Sequence, residues 1–216
     1  MKSVLLIGLG HFGKHIAMKL NDLEHQILAV DLNEERIQEA LPYVTEAQIG
    51  DSTNKEFLLS LGVRNFDVCI VTIGDNFQNS LETVWLLKEL GAEKVIARAS
   101  REMQEKFLLR NGADEVVYPE RDMAEKTAVM HNANNIFDYI ELTSEYAIYE
   151  LPIVEAWIGR TISEIDVRRK YNVNIIAVKN GNDLQATHLA DHIFTENDTV
   201  AVIGKSEDVF RLAAKT

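Results

Sequence analysis

Residues 5–17 read LLIGLGHFGKHIA, and two phosphate-binding patterns overlap there. Gly8, Gly10 and Gly13 complete G-x-G-x-x-G; Gly8, Gly13 and Lys14 nearly complete the G-x-x-x-x-G-K of a Walker A loop. A Walker A loop follows its Lys with Ser or Thr, whose hydroxyl binds Mg²⁺. Here that position is His15. The dinucleotide pattern instead needs a strand before it, a helix after it and an acid ~20 residues on. Apolar Val4–Leu6 supplies the strand, Lys14–Leu20 the helix and Asp31 the acid. The stretch therefore reads as a dinucleotide-type loop. Gly8 permits the tight turn, Gly10 lets backbone N–H groups approach phosphates, and Gly13 lets the helix pack close to the sheet. The helix N-terminus favours the anion. Asp31 would accept hydrogen bonds from ribose hydroxyls and repel a 2′-phosphate, which favours an adenosine-type ligand over NADP. Taken without the glycines, Asp31 could equally be an acid at a helix N-terminus.

Two further clusters fall at strand ends. Asp51, Ser52 and Thr53 lie in IGDST, and Thr72, Gly74 and Asp75 in VTIGDN. In a doubly wound sheet these ends face the ligand crevice. Capping the next helix is an equal reading for Asp51. Other chemistry is sparse. His188 and His192 have the i, i+4 spacing of metal ligands but no neighbouring Cys to complete a ligand set, and no G-x-S-x-G nucleophile elbow occurs. Cys69, the only cysteine, sits in the apolar run DVCIVTIG, so neither an intrachain disulfide nor a multi-cysteine metal site can form.

The elements that must position these residues alternate over the first two-thirds of the chain. Strand signals fall at 4–6, 26–30, 47–49, 67–73, 94–97 and 115–118, and helix signals at 14–20, 34–40, 55–61, 80–90 and 101–110. This β-α alternation predicts a Rossmann-like, doubly wound parallel sheet. A long helix signal follows at 120–132. Beyond it the rhythm changes. Ala147, Tyr149, Leu151 and Ile153 alternate as in an edge-type strand, RTISEIDVRRKY suggests one short helix, and NIIAVKNGND a strand turning at Asn180–Gly181. TVAVIGKSEDVFRLAA closes with a strand and a helix. The expected architecture is α/β with a second, smaller α+β domain. The boundary falls within 135–143, giving domains 1–138 and 139–216.

Composition narrows the function classes. The 216 residues carry 22 Lys+Arg against 34 Asp+Glu, a net charge of −12, which argues against nucleic acid as a partner held on a broad basic surface. Hydrophobic content of 46% with only 3 Pro reads as an ordered globular chain. The N-terminal apolar run is short and broken by glycines, so it reads as a first strand rather than a signal peptide. No run approaches the ~18 apolar residues of a membrane span. A lone thiol suits a reducing cytoplasm.

The order GLGHFG, Asp31, GDST, VTIGDN, NGADEVVYPERDMAEK and IDVRRKYNVNIIAVK resembles the regulatory subunits of bacterial Trk/Ktr potassium-uptake systems, which contain an RCK (regulator of potassium conductance) domain. GADEVVYPERDMA and IDVRRKYNVNIIA carry most of the specificity, and the likeness spans nearly the whole chain. The resemblance implies an N-terminal domain that binds ATP, ADP or NAD(H) through Gly8, Gly10, His11, Phe12, Gly13, Asp31, Leu32, Asp51, Ser52, Thr72, Gly74, Asp75 and Arg98. It implies dimers that exchange the helix at 119–132 and assemble into a homo-octameric ring. That ring would lie on the cytoplasmic face of the membrane, under a potassium-translocating subunit. Glu120 would lie near the nucleotide phosphates of the partner subunit and help hold a Mg²⁺, Ca²⁺ or Na⁺ ion there; a first-turn helix acid after Pro119 is the plain alternative. Some relatives bind cyclic di-AMP in the C-terminal domain, where Ile162, Arg168, Asn174, Ile175 and His188 fall at matching positions.

The sequence departs from the pattern after the second glycine, where the family usually carries Arg and this chain has His11, shorter and with a pH-dependent charge. The reading that follows is a nucleotide-controlled, non-enzymatic regulatory subunit. The alternative is a small NAD-dependent oxidoreductase, against which the C-terminal unit offers few candidate residues for a substrate pocket. A redox-sensing transcriptional regulator would need a basic recognition helix, and none is evident.

Overall fold

The computed structural model describes residues 1–132 and 136–216. They divide into two compact units, Met1–Arg121 and Asp122–Thr216. The first residue of the expected boundary stretch, 135, lies outside the described residues.

In the first unit strands and helices alternate: β1 (Ser3–Ile7), α1 (His11–Asp22), β2 (Gln26–Asp31), α2 (Glu34–Ala40), β3 (Glu46–Ile49), α3 (Lys55–Ser60), β4 (Val68–Val71), α4 (Phe77–Glu89), β5 (Val95–Arg98), α5 (Glu102–Arg110) and β6 (Glu115–Val117). All strand pairs are parallel, in the order β3-β2-β1-β4-β5-β6. The order reverses between β1 and β4, the switch point where doubly wound sheets open a crevice. Strand periodicity builds a core on each face. Leu5 and Ile7 of β1 pack with Leu58, Val84, Leu87 and Leu108 from α3, α4 and α5. Leu6, between them, packs with Ala17 of α1 and with Ile37 and Ala40 of α2. Cys69 is fully buried in β4, and burial pushes its thiol up to about 12, so it stays neutral and unreactive.

Helix starts and stops follow local chemistry. The side chains of Asn33, Asn54 and Asn76 accept hydrogen bonds from the first-turn N–H groups of α2, α3 and α4. Gly62 (φ 69°) and Gly91 (φ 88°) end α3 and α4 in the left-handed region.

Helix α6 (Pro119–Asn132) begins in the first unit and runs into the second, where Val129 and Met130 pack on that unit's core. The second unit holds β7 (Asp138–Glu141), β8 (Tyr146–Pro152), α7 (Ile162–Ile165), α8 (Val167–Tyr171), β9 (Val173–Asn180), β10 (Asp183–Gln185), β11 (Asp198–Lys205) and α9 (Ser206–Ala213). Its sheet is antiparallel, ordered β10-β9-β11-β8-β7. Two local expectations need correction. The alternating strand β8 is not an edge, because β11 and β7 flank it; the alternation records one packed face, with Ala147, Tyr149 and Leu151 buried. RTISEIDVRRKY forms two helices, because Asp166 takes a left-handed φ of 52° between them.

Candidate nucleotide-binding site

At the C-terminal ends of the parallel strands a cavity of about 740 Å³ opens. It is lined by Gly8, Gly10, His11, Phe12, Asp31, Leu32, Asp51, Ser52, Thr72, Gly74, Asp75, Arg98 and Glu120. Of the residues assigned to the crevice from sequence, Gly13 and Thr53 do not line it. Sequence reasoning missed His15, Asn33, Arg36, Asn76 and Asn79 among the lining residues. Asn33 and Asn76 could have been found, since a helix cap directly after a strand end must lie beside the crevice.

The glycine loop is built by close approach. Gly8 has φ 95°. A Cβ on Gly13 would stand 2.1 Å from the Gly8 carbonyl oxygen and 2.6 Å from Thr72 Oγ1. Gly13 therefore serves the turn that precedes its own helix, more directly than helix-to-sheet packing. Thr72 Oγ1 donates to the Gly8 carbonyl at 2.6 Å, so its hydroxyl braces the loop. A Cβ on Gly10 would meet nothing within 4 Å, because this residue faces the open cavity. Gly10 is also the N-cap of α1, which has no side-chain cap and no first-turn acid. Where α2, α3 and α4 satisfy their first N–H groups with asparagine, α1 leaves its own for an incoming anion.

Lys14 lies outside the cavity lining and is committed to Glu39, Nζ to Oε2 at 2.7 Å. That bond lifts its ammonium above the ordinary lysine value. A Walker lysine would instead reach the phosphates.

Asp31 is buried, and both its oxygens are used. Oδ2 accepts the Leu9 N–H at 2.6 Å and Oδ1 the Asn33 N–H at 2.8 Å. It thus fastens the glycine loop to the end of β2. A carboxylate has about four acceptor positions, so ribose hydroxyls can still be served. The cap of α2 is Asn33 rather than Asp31. Arg36 stands at the rim, 3.8 Å from Asp31 and 3.6 Å from Asp75. Asp51 accepts from the N–H and the hydroxyl of Thr53, at 2.9 and 2.7 Å, and leaves the capping of α3 to Asn54. Ser52 is buried and shares a 2.8 Å hydrogen bond with Thr83.

On the opposite wall, Arg98 and Glu120 form a close ion pair. Burial raises the Glu120 carboxyl, but its own backbone N–H at the start of α6 and the Arg98 guanidinium outweigh that and hold it below the ordinary carboxylate value. No group of three or more His, Cys, Asp or Glu side chains able to hold a metal ion is found among the described residues. Glu120 would have to share a cation with oxygens from the ligand.

In the second unit Ile162, Arg168, Asn174 and Ile175 line one shallow cavity of about 200 Å³. Arg168 and Asn174 also line a neighbouring one of about 250 Å³ with Tyr146 and Asn172. His188 lines neither. His192 is engaged with Asp198, Nε2 to Oδ2 at 2.9 Å.

Residues 4–119 match the TrkA-N domain and residues 147–215 the TrkA-C domain. The chain is 39% identical to Ktr system potassium uptake protein C of Bacillus subtilis (strain 168), over 97% of this chain and 95% of that one. It is 38% identical to Ktr system potassium uptake protein A of the same organism, with the same coverage. Among solved structures, the GsuK channel bound to NAD superposes with a TM-score of 0.69 at 19% identity, over 99% of this chain. This chain spans only 39% of that channel chain, and at this identity the likeness concerns the fold. No helix among the described residues is long and apolar enough to cross a membrane. The chain belongs to the family of Trk/Ktr-type potassium-uptake regulatory subunits, with a TrkA-N domain followed by a TrkA-C domain.

Proposed function

We propose that this chain is an adenine-nucleotide sensor that controls a membrane-embedded potassium-translocating partner from the cytoplasmic face, and that it is not itself an enzyme. The observation that carries the reading is the uncapped N-terminus of α1, facing a cavity with the buried carboxylate of Asp31 on the adjoining strand end. ATP, ADP and NAD(H) all present the same adenosine and phosphates to these groups. The Ktr relatives support potassium uptake as the setting, and the GsuK channel with NAD supports a nucleotide in this fold. In this reading residues 1–138 form the nucleotide-binding domain with α6 as its crossover helix, and residues 139–216 the C-terminal domain. Dimers exchange α6 and build a homo-octameric ring, and Glu120 shares a divalent cation or Na⁺ with the phosphates. The cavity at Ile162, Arg168, Asn174 and Ile175 supports a second ligand of the cyclic di-AMP type.

Mass spectrometry of the ligand that co-purifies with the protein tests the first step. Potassium flux in a reconstituted complex, with and without that ligand, tests the second. Co-purification of an adenine nucleotide that changes flux is expected. A substrate-dependent oxidation of NADH, abolished by Gly10→Val, would replace this reading with an oxidoreductase.

A further inference from the structure

His11 and His15 stand one turn apart at the start of α1, and both residues line the cavity. Residues at i and i+4 of an α-helix share a face, with roughly 5–6 Å between their Cβ atoms. Two imidazoles at that spacing reach one ion at about 2.0–2.1 Å per Zn–N bond, as in zinc sites that take two histidines from a single helix. Both side chains are exposed, and among the described residues neither imidazole makes a hydrogen bond or an ion pair. The pair His188 and His192 has the same spacing but not the same geometry. His188 stands outside any α-helix with a left-handed φ of 54°, and His192 is held by Asp198. His25 is engaged as well, its Nδ1 accepting the Lys2 N–H at 3.1 Å. His11 and His15 are therefore the pair whose ring nitrogens are free on one helical face.

Charge decides what the pair can hold. Lys14, between the two in sequence, is neutralised by Glu39. The hydrogen bond from Lys14 and, more weakly, the charge of His11 hold the Glu39 carboxyl below its ordinary value, so an acid lies near the pair. Against this, the positive end of the α1 dipole opposes a cation here. Two imidazoles alone therefore make a weak site. A phosphate resting on the uncapped N-terminus removes the opposition and adds an oxygen ligand. Imidazole nitrogen suits borderline ions such as Zn²⁺, whereas Mg²⁺ takes oxygen. We propose that His11 and His15 form a two-nitrogen site for a borderline divalent ion of the Zn²⁺ type, completed by a phosphate oxygen of the nucleotide and by water. For that oxygen the inference rests on the nucleotide reading above. The ion is distinct from the one assigned to Glu120, whose ligands are all oxygens. Metal and nucleotide then strengthen each other's binding by the same factor.

Zn²⁺ titrated calorimetrically into the full chain at about pH 7.5, above the ordinary imidazole value near 6.5, tests the pair without nucleotide. His11→Ala and His15→Ala should each weaken Zn²⁺ binding by at least about tenfold, the least that losing even an outer partner of a metal ligand costs. Both positions are exposed on the helix surface, so both variants should fold. A second titration, with ADP as the probe, measures how far each metal ion tightens it. Zn²⁺ should tighten ADP at least about tenfold more in wild type than in His15→Ala, while Mg²⁺ should act on the two proteins alike within about twofold. The affinity of Zn²⁺ for ADP in solution is common to both proteins and cancels in the comparison. Equal Zn²⁺ affinity in wild type and both variants would overturn the site. An equal Zn²⁺ effect on ADP would overturn the shared coordination. Failure of wild type to bind ADP in a chelator, with the Zn²⁺ result intact, is a different outcome and would overturn the nucleotide reading itself.

Discussion

Replacing Asp31 by alanine separates the two tasks the structure gives it. The carboxylate accepts the Leu9 N–H at 2.6 Å and the Asn33 N–H at 2.8 Å. Leu9 is 3% exposed, so its N–H has no water to turn to, whereas Asn33 is exposed and its N–H can be hydrated. The stability cost therefore comes mainly from Leu9, about 2 kcal/mol for a buried donor that loses a charged acceptor. For a unit of this size that corresponds to a fall in melting temperature of roughly 6–10 °C. Nucleotide affinity should drop by a further ~1–3 kcal/mol, or about 5- to 150-fold, because two ribose hydroxyls lose their acceptor. Scanning calorimetry reads the first effect and titration with ADP, well below the melting range, the second. Asp31→Asn keeps one acceptor oxygen and should recover part of the stability but little of the affinity. An Asp31→Ala protein that melts lower yet binds ADP within about twofold of wild type would refute the ribose role and leave Asp31 as a brace for the loop. An unchanged melting temperature would refute the brace.

Three other perturbations have expected outcomes. Gly10→Ala should melt like wild type, since its Cβ meets nothing, but lose at least about tenfold in ADP affinity because the methyl group enters the phosphate space, whereas Gly13→Ala should cost on the order of 3 kcal/mol in urea denaturation by driving a Cβ into the Gly8 carbonyl. Lys14→Ala should bind ADP within about twofold of wild type, because Lys14 pairs with Glu39 away from the cavity; a loss of about 100-fold would restore a Walker-type role. In the second unit, burial raises the Asp198 carboxyl, but hydrogen bonds from His192, the Thr195 N–H and Asn180 outweigh it and hold the group below the ordinary value. A depressed carboxyl contributes stability that is fully present above the unfolded value of about 4 and is lost as pH falls through the lower folded one. The stability gap between wild type and Asp198→Asn in urea melts should thus shrink as pH falls below about 4. A gap that widens on acidification would show the sign to be wrong.

The alternation of the first 118 residues was readable because the central parallel strands β1, β2 and β4 are dominated by short apolar runs, and because Gly62 and Gly91 mark their helix ends. The second unit was less legible. β7 is four residues of DYIE, with two acids and no apolar run to announce it, and its presence is what makes β8 an interior strand. An alternating pattern reports that one face of a strand is packed; it carries no information about how many neighbours the strand has. The break at Asp166 was equally silent, since an aspartate occupies left-handed and helical conformations under different tertiary constraints.

For the site, the sequence by itself determined the glycine loop, the acid at the end of β2 and the family, because motif spacing is set by local turn and helix geometry. It could not say which neighbours those groups bond. That Asp31 grips the Leu9 N–H, that Lys14 turns away to Glu39 and that Glu120 pairs with Nη2 of Arg98 are contacts between residues 22 to 25 apart in the chain. Such partners are chosen by which strand ends meet at the switch point and by which buried polar groups would otherwise lack a partner, and the folded sheet decides both.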